Sequence, residues 1–194
     1  MILNFGPLLE KREIEQSIVD ELLLRGSKLQ ANARNLLAGH IDKELFYEKE
    51  DRDWFKQEAF QYFHAHLTAL QEQWLPDMKK IKTWELPNLW INYMKAGEYN
   101  PPHVHSGDLS FVIYLKVPKE IEGDAKVYGA AHPGPGAIEF LYGQPTMHHK
   151  THITAFPRAR DIFIFPANLL HTVSPFRCEG ERISVSGNIF FNHA

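Results

Sequence analysis

The sequence predicts a mainly β protein, a sandwich or barrel braced on one side by N-terminal helices. Two observations lead there. Up to about residue 78 the apolar side chains recur at helical spacing. Beyond it, short β-rich runs alternate with Gly, Pro, Asn and Asp turns. The chain has 194 residues, with no internal repeat and no low-complexity linker. That length fits one domain with a sizeable core. The expected organisation is a single domain over residues 1–194, with 1–78 as helical support and 79–192 as the β core.

The elements follow in order. Glu10 to Arg25 carries Ile14, Ile18, Leu22 and Leu23 on one face, which predicts a first helix. Asp53 to Trp74 carries Phe60, Phe63, Leu67, Leu70 and Trp74 at steps of three and four, with Phe55 near its start. Asp51 and Asp53 stand where an N-cap would serve this second helix. Strands are expected near 80–85, 88–95, 109–117, 125–129, 136–142, 150–156, 160–165, 171–176 and 182–191.

Composition excludes several function classes. With 44% hydrophobic and 23% charged residues, the chain reads as a globular protein. A net charge of −3 and the lack of any Lys/Arg run give no electrostatic support to nucleic-acid or anionic-membrane binding. Cys178 is the single cysteine, so no internal disulfide can form. The start, MILNFGPLLEKREIEQ, lacks the basic and apolar regions of a signal peptide, and no stretch approaches a membrane span. The expectation is a cytoplasmic protein.

The chain holds 11 histidines, and two pairs have HxH spacing. His64 and His66 fall inside the second helix, where residues two apart point to different faces. They are expected to be surface or packing histidines. His103 and His105, in NPPHVHSGD, lie at a loop-to-strand junction, where residues two apart project to one side. Both can reach one metal ion. His171 is the best third ligand, because it follows the apolar run Asp161 to Phe165 and a Pro turn. On its own it reads equally well as a satisfied core histidine. Farther on, Arg182-Ile183-Ser184 puts a guanidinium and a hydroxyl on one face of a strand. Facing inward, that arginine needs an anion, and no acid on its strand face supplies one. A ligand carboxylate could take its place in a bidentate pair. Alternation equally allows Arg182 to face solvent, with Ile183 and Val185 inside.

In this order, HxH near 103, a distal His171 and Arg182-x-Ser184 resemble the HxD/E…H…RxS signature of the 2-oxoglutarate and Fe(II) dependent oxygenases. The similarity spans roughly residues 79 to 192. It is nearest to the prolyl-4-hydroxylase-like branch and to related oxygenases of bacteria and phages. WINYMKAGEYNPPHVH, LSFVIYLKVP, DIFIFPANLLHTVSPF and RISVSGNIFFN each resemble a segment of that family. The resemblance implies a double-stranded β-helix. It implies a dioxygenase that uses Fe(II), 2-oxoglutarate and O2 to hydroxylate a substrate C–H bond, with decarboxylation of 2-oxoglutarate to succinate. It assigns His103 and His171 as iron ligands. Arg182 would pair with the distal carboxylate of 2-oxoglutarate and Ser184 would hydrogen-bond it. Tyr114 and Tyr93, ten residues before His103, match tyrosines of the co-substrate pocket. Without the resemblance, both read as core aromatics.

One position departs from the family. The acid expected two residues after the first histidine is His105. Either His105 coordinates, or Asp108 swings in from the Ser106-Gly107 turn. Three neutral histidines would leave Fe(II) with two net positive charges rather than one, which changes its redox poise and metal preference. Two other classes stay open. One is a three-histidine cupin-type dioxygenase without 2-oxoglutarate. The other is a non-catalytic β-barrel module that holds its metal for structure. His132, His148, His149 and His152 lie in Gly/Pro-rich or loop segments without an acid or cysteine, and read as surface or substrate-facing. Trp90, Tyr99, Lys150, Arg158 and Arg160 are candidates for a substrate rim. The expected substrate is a peptidyl proline or other protein side chain, or a free amino acid.

Overall fold

The computed structural model describes residues 6–121, 134–144, 146–147 and 150–194. It contains two antiparallel sheets. The six-stranded sheet has the order β1-β8-β5-β10-β3-β2 and the four-stranded sheet the order β4-β9-β6-β7. The strands are β1 (Glu10–Glu13), β2 (Lys43–Phe46), β3 (Ile81–Met94), β4 (Asn100–His103), β5 (Leu109–Lys116), β6 (Ile138–Leu141), β7 (His152–Ala155), β8 (Asp161–Pro166), β9 (Leu170–Val173) and β10 (Arg182–His193). Helices α1 (Gln16–Gly26), α2 (Lys49–Glu58) and α3 (Phe60–Ala69) precede β3, and a π-helical turn, Leu70–Trp74, follows α3. No helix among the described residues is long and apolar enough to cross a membrane.

The central strands are apolar on both faces because both faces are covered. In β5, Phe111 and Ile113 join the helix-side core, whereas Val112 and Tyr114 join the core between the sheets. Phe111 meets Phe55 of α2 at 5.5 Å and Phe63 of α3 at 4.9 Å between ring centroids, which seats both helices on the six-stranded sheet. β10 divides in the same way. Ile183, Val185 and Ile189 face the helices. Arg182, Ser184 and Ser186 face the cavity between the sheets. The two arrangements that alternation allowed for Arg182 resolve here: with both faces covered, apolar and polar residues are buried on opposite sides.

Several expected elements change. Residues 10–13 form an edge strand paired with β8 rather than the first turn of a helix, and α1 begins only at Gln16. Pairing with the exposed edge of β8 outweighs a helical pattern that had no buried face there. The second helix is split at Ala59, whose ψ of 1° leaves the helical region. It begins earlier than expected, with a capping box between Glu48 and Asp51. The strands expected at 80–85 and 88–95 are one strand, β3, which runs past Pro87. Its pairing with β10 shifts register between Asn188 and Phe190, beside Pro87, so the missing N–H falls at a bulge. The strand expected at 125–129 lies outside the described residues.

Candidate metal centre

The cavity between the sheets is built from a few registered strands. His103 ends β4 and stands directly opposite His171 on β9. His105 lies two residues on, its backbone N–H donating to Ala167 O at 2.7 Å, while Val104 between them faces out. Gly107, at φ +99°, then turns the chain into β5, and a Cβ there would lie 2.8 Å from Ile189 O. A tight turn and a close backbone approach thus fix where HVH sits.

One ring nitrogen from each of His103, His105 and His171 lies within 4.8 Å of the others. Two of the rings are oriented by the backbone. His103 Nδ1 donates to Pro101 O at 2.7 Å and His171 Nδ1 donates to Leu169 O at 2.9 Å. A carbonyl only accepts, so Nδ1 carries the hydrogen and Nε2 keeps a free lone pair. Phe165 and Phe140 pack on the His171 ring, and Trp90 lies against His105. Burial lowers all three basicities. His105 is pushed down to about 3, with His171 and His103 adding to the effect. His171 falls to about 4 by burial and by His103. His103 is lowered by burial, opposed by its bond to Pro101. Three neutral imidazoles whose lone pairs converge are a donor set that suits a divalent transition metal.

Deeper in the same cavity, Arg182 is 3% exposed. Its two terminal nitrogens donate to Gly136 O at 2.7 Å and to Met94 Sδ at 2.6 Å, and Nε has no partner among the described residues. No carboxylate among the described residues pairs with it, and burial lowers its pKa. The Tyr114 ring lies 5.5 Å from the guanidinium, and burial pushes its hydroxyl up to about 12. Ser184 lines the cavity and accepts from Asn92 Nδ2 at 3.4 Å.

The structure therefore brings together His103, His105, His171, Arg182, Ser184, Tyr114 and Trp90. It does not bring Tyr93 to them. Tyr93 pairs with Ile183 across β3 and β10, so both face the helices, where Lys43 Nζ sits 3.9 Å over the Tyr93 ring. Its expected place in the co-substrate pocket is corrected on that ground. Asp108 is not part of the histidine group. Its carboxylate accepts from Phe191 N–H at 2.7 Å instead. His66 is fully buried against Glu10 and His64 stacks on Phe60, so this HxH pair splits as expected. Tyr99 stacks on His40, and Arg160 binds Ile14 O and Glu13. Neither Arg160 nor Lys150 nor Arg158 lines the cavity. His152 opens β7 and is exposed, while His132, His148 and His149 lie outside the described residues.

Among the cavity residues that escaped the sequence reading are Glu44, Asn92 and Asn100. Asn92 alternates with apolar neighbours in WINYM, which is a usable signal. Glu44 sits in a four-residue strand too short to show a period. Burial raises its carboxyl to about 7; Arg34 pulls against this rise and Glu98 adds to it.

A family model described as "Putative 2OG-Fe(II) oxygenase" matches residues 88–188, just over half of the chain. No curated protein sequence matches. Among solved structures, the chain is similar to a viral collagen prolyl hydroxylase from Paramecium bursaria Chlorella virus-1, with TM-score 0.60, 14% identity and coverage of 93% of this chain and 94% of that one. It is similar to a Pseudomonas putida prolyl-4-hydroxylase, with TM-score 0.60, 14% identity and coverage of 96% and 92%. HygX from Streptomyces hygroscopicus, solved with nickel and 2-oxoglutarate, aligns with TM-score 0.52, 11% identity and coverage of 94% and 82%. These identities speak to the fold, which is the double-stranded β-helix expected from the sequence. The matched segment runs from β3 through most of β10 and contains the three histidines, Arg182 and Ser184. The chain belongs to the 2OG-Fe(II) oxygenase family, a class of enzymes that work with Fe(II) and 2-oxoglutarate.

Proposed function

We propose that this enzyme hydroxylates a C–H bond of a peptidyl side chain or free amino acid, converting 2-oxoglutarate to succinate. Arg182 carries the reading: a guanidinium at 3% exposure, with no carboxylate partner among the described residues, in the same cavity as three convergent imidazoles. An unpaired buried cation is costly, and a bidentate carboxylate offsets that cost. In this reading His103 and His171 hold Fe(II) through the nitrogens left free by their backbone bonds, and His105 completes the set. Arg182 and Ser184 hold the distal carboxylate of 2-oxoglutarate, with Tyr114 walling the site. The iron supplies the O2 chemistry that couples decarboxylation to hydroxylation. The chain contributes fixed ligand orientation, an anchor for the co-substrate and apolar walls at Phe165, Val112 and Ile138 that limit water. We take residues 1–194 to act as one unit, with the helices bracing the sheet that carries Arg182.

The experiment is anaerobic. Fe(II) and then 2-oxoglutarate are added to metal-free protein, and a visible charge-transfer band is expected. Arg182→Ala should weaken the 2-oxoglutarate dependence of that band by about a hundredfold, since breaking a buried charge pair costs several kcal/mol. Iron binding without a band would favour a three-histidine dioxygenase that takes its substrate directly on the metal.

A further inference from the structure

The cavity has further polar groups besides those assigned above to the co-substrate. Glu44 on β2 stands opposite Asn92 on β3, and Asn92 stands opposite Ser184 on β10. Glu44 is 2% exposed and lines the cavity together with the three histidines. Its Oε2 has no hydrogen-bond partner among the described residues, and neither does Asn92 Oδ1 or Asn100 Oδ1. Glu44 Oε1 and Asn100 Oδ1 converge on Gly39, where a Cβ would lie 2.9 Å from the first and 2.5 Å from the second. Only glycine lets the backbone approach both oxygens this closely. Among the described residues no cation pairs with Glu44; Arg34, which influences it from a distance, pairs with Asp42 at 3.3 Å.

Buried acceptors without donors are expensive, and three in one cavity call for a donor-rich ligand. The three are a carboxylate and two amide oxygens, so the complementary group carries positive charge and several N–H bonds. A hydroxyl donates once and brings no charge. A carboxylate would be repelled. The cavity is thus bipolar, with Arg182 set for an anion and Glu44 for a cation.

We propose, resting on the oxygenase reading above, that the substrate carries a protonated amine or guanidinium, and that Glu44, Asn92 and Asn100 bind it and set specificity. A basic amino acid, free or within a peptide, is the substrate class. Its nitrogen docks on the unpartnered oxygens of Glu44, Asn92 and Asn100, in the cavity that the three histidines also line.

Calorimetry on the full chain tests this under anaerobic conditions, with Fe(II) and 2-oxoglutarate present and again without metal. The probes are n-butylammonium, n-butylguanidinium and uncharged n-butanol. At least one cation should bind ten times more tightly than the alcohol, and Glu44→Gln should reduce that preference to below threefold. Gly39→Ala, which places a methyl group between the two oxygens, should weaken the cation and spare the alcohol. Thermal melts confirm that both variants are folded. Equal binding of alcohol and cations, no binding of either cation, or a preference that survives in Glu44→Gln would overturn the proposal. A cation preference in a protein that shows no charge-transfer band would instead count against the oxygenase assignment of the site. Comparing L-lysine with acetyl-Ala-Lys-Ala-amide separates a free from a peptidyl substrate.

Discussion

Arg182 and Glu44 are opposite charges buried in one cavity without being each other's partner. The Glu44 carboxyl, raised to about 7 by burial, binds a proton more tightly folded than unfolded. Its contribution to stability is therefore present below about pH 4.5 and is lost as pH rises through about 7. Without metal or substrate, Glu44→Gln should become more stable than the wild type across that window, by about 2 to 3 kcal/mol at pH 8. Denaturant melts of both proteins from pH 5 to 8 check this, and a difference that does not change with pH would refute it. His105 presents a separate test. His105→Ala should cost a hundredfold or more in Fe(II) affinity, whereas Asp108→Asn should change it less than twofold, because the Asp108 carboxylate is bound to the backbone of β10. A titration showing the reverse would move the third ligand to Asp108. At this scale spacing and order raised the histidines and Arg182 as candidates, while whether Arg182 faced inward waited for the structure. The sequence misplaced Tyr93, because only strand register shows that Tyr93 and Ile183 share the face opposite to Arg182.

Among the elements, the expected strands at 136–142, 150–156 and 171–176 correspond to β6, β7 and β9, whereas β1, β2 and β4 were not read as strands. The expected strand at 109–117 matches β5 within a residue, because eight apolar-rich residues between turns leave little choice. β1, β2 and β4 have four residues each, and only tertiary pairing makes them strands. β4 contains Pro101 and Pro102, which count against a strand on propensity alone. Yet β2 carries Glu44, so that part of the cavity was hidden in an element the sequence did not show. The Gly107 turn belongs to this scale as well. Gly107→Ala should destabilise the protein by about 1 to 3 kcal/mol, through a strained φ and a clash with Ile189 O. Urea unfolding measures it, and a stability unchanged from the wild type would show that the turn can relax.

Across the whole molecule, two cores lie on either side of the six-stranded sheet. One joins helices to sheet and the other fills the space between sheets. Phe55 belongs to the first and contacts Phe63 and Phe111, whereas Phe140 and Phe165, which pack on His171, belong to the second. Phe55→Ala should cost about 3 to 5 kcal/mol of stability, while Fe(II) affinity, measured on the folded fraction below the melting transition, stays within a few-fold. A large loss of metal affinity would instead show that the helix-side core holds the cavity in shape. The sheet borders have a consequence of their own. The outermost strands of both sheets, β1, β2, β4 and β7, are four residues long, whereas β3 and β10 inside run to fourteen and twelve. Unpaired amides at a sheet border are templates for a neighbouring chain, and prolines in β4 remove two of them. Short borders give a foreign strand little to zip onto, so this fold can stay dispersed at high concentration despite its β-rich centre.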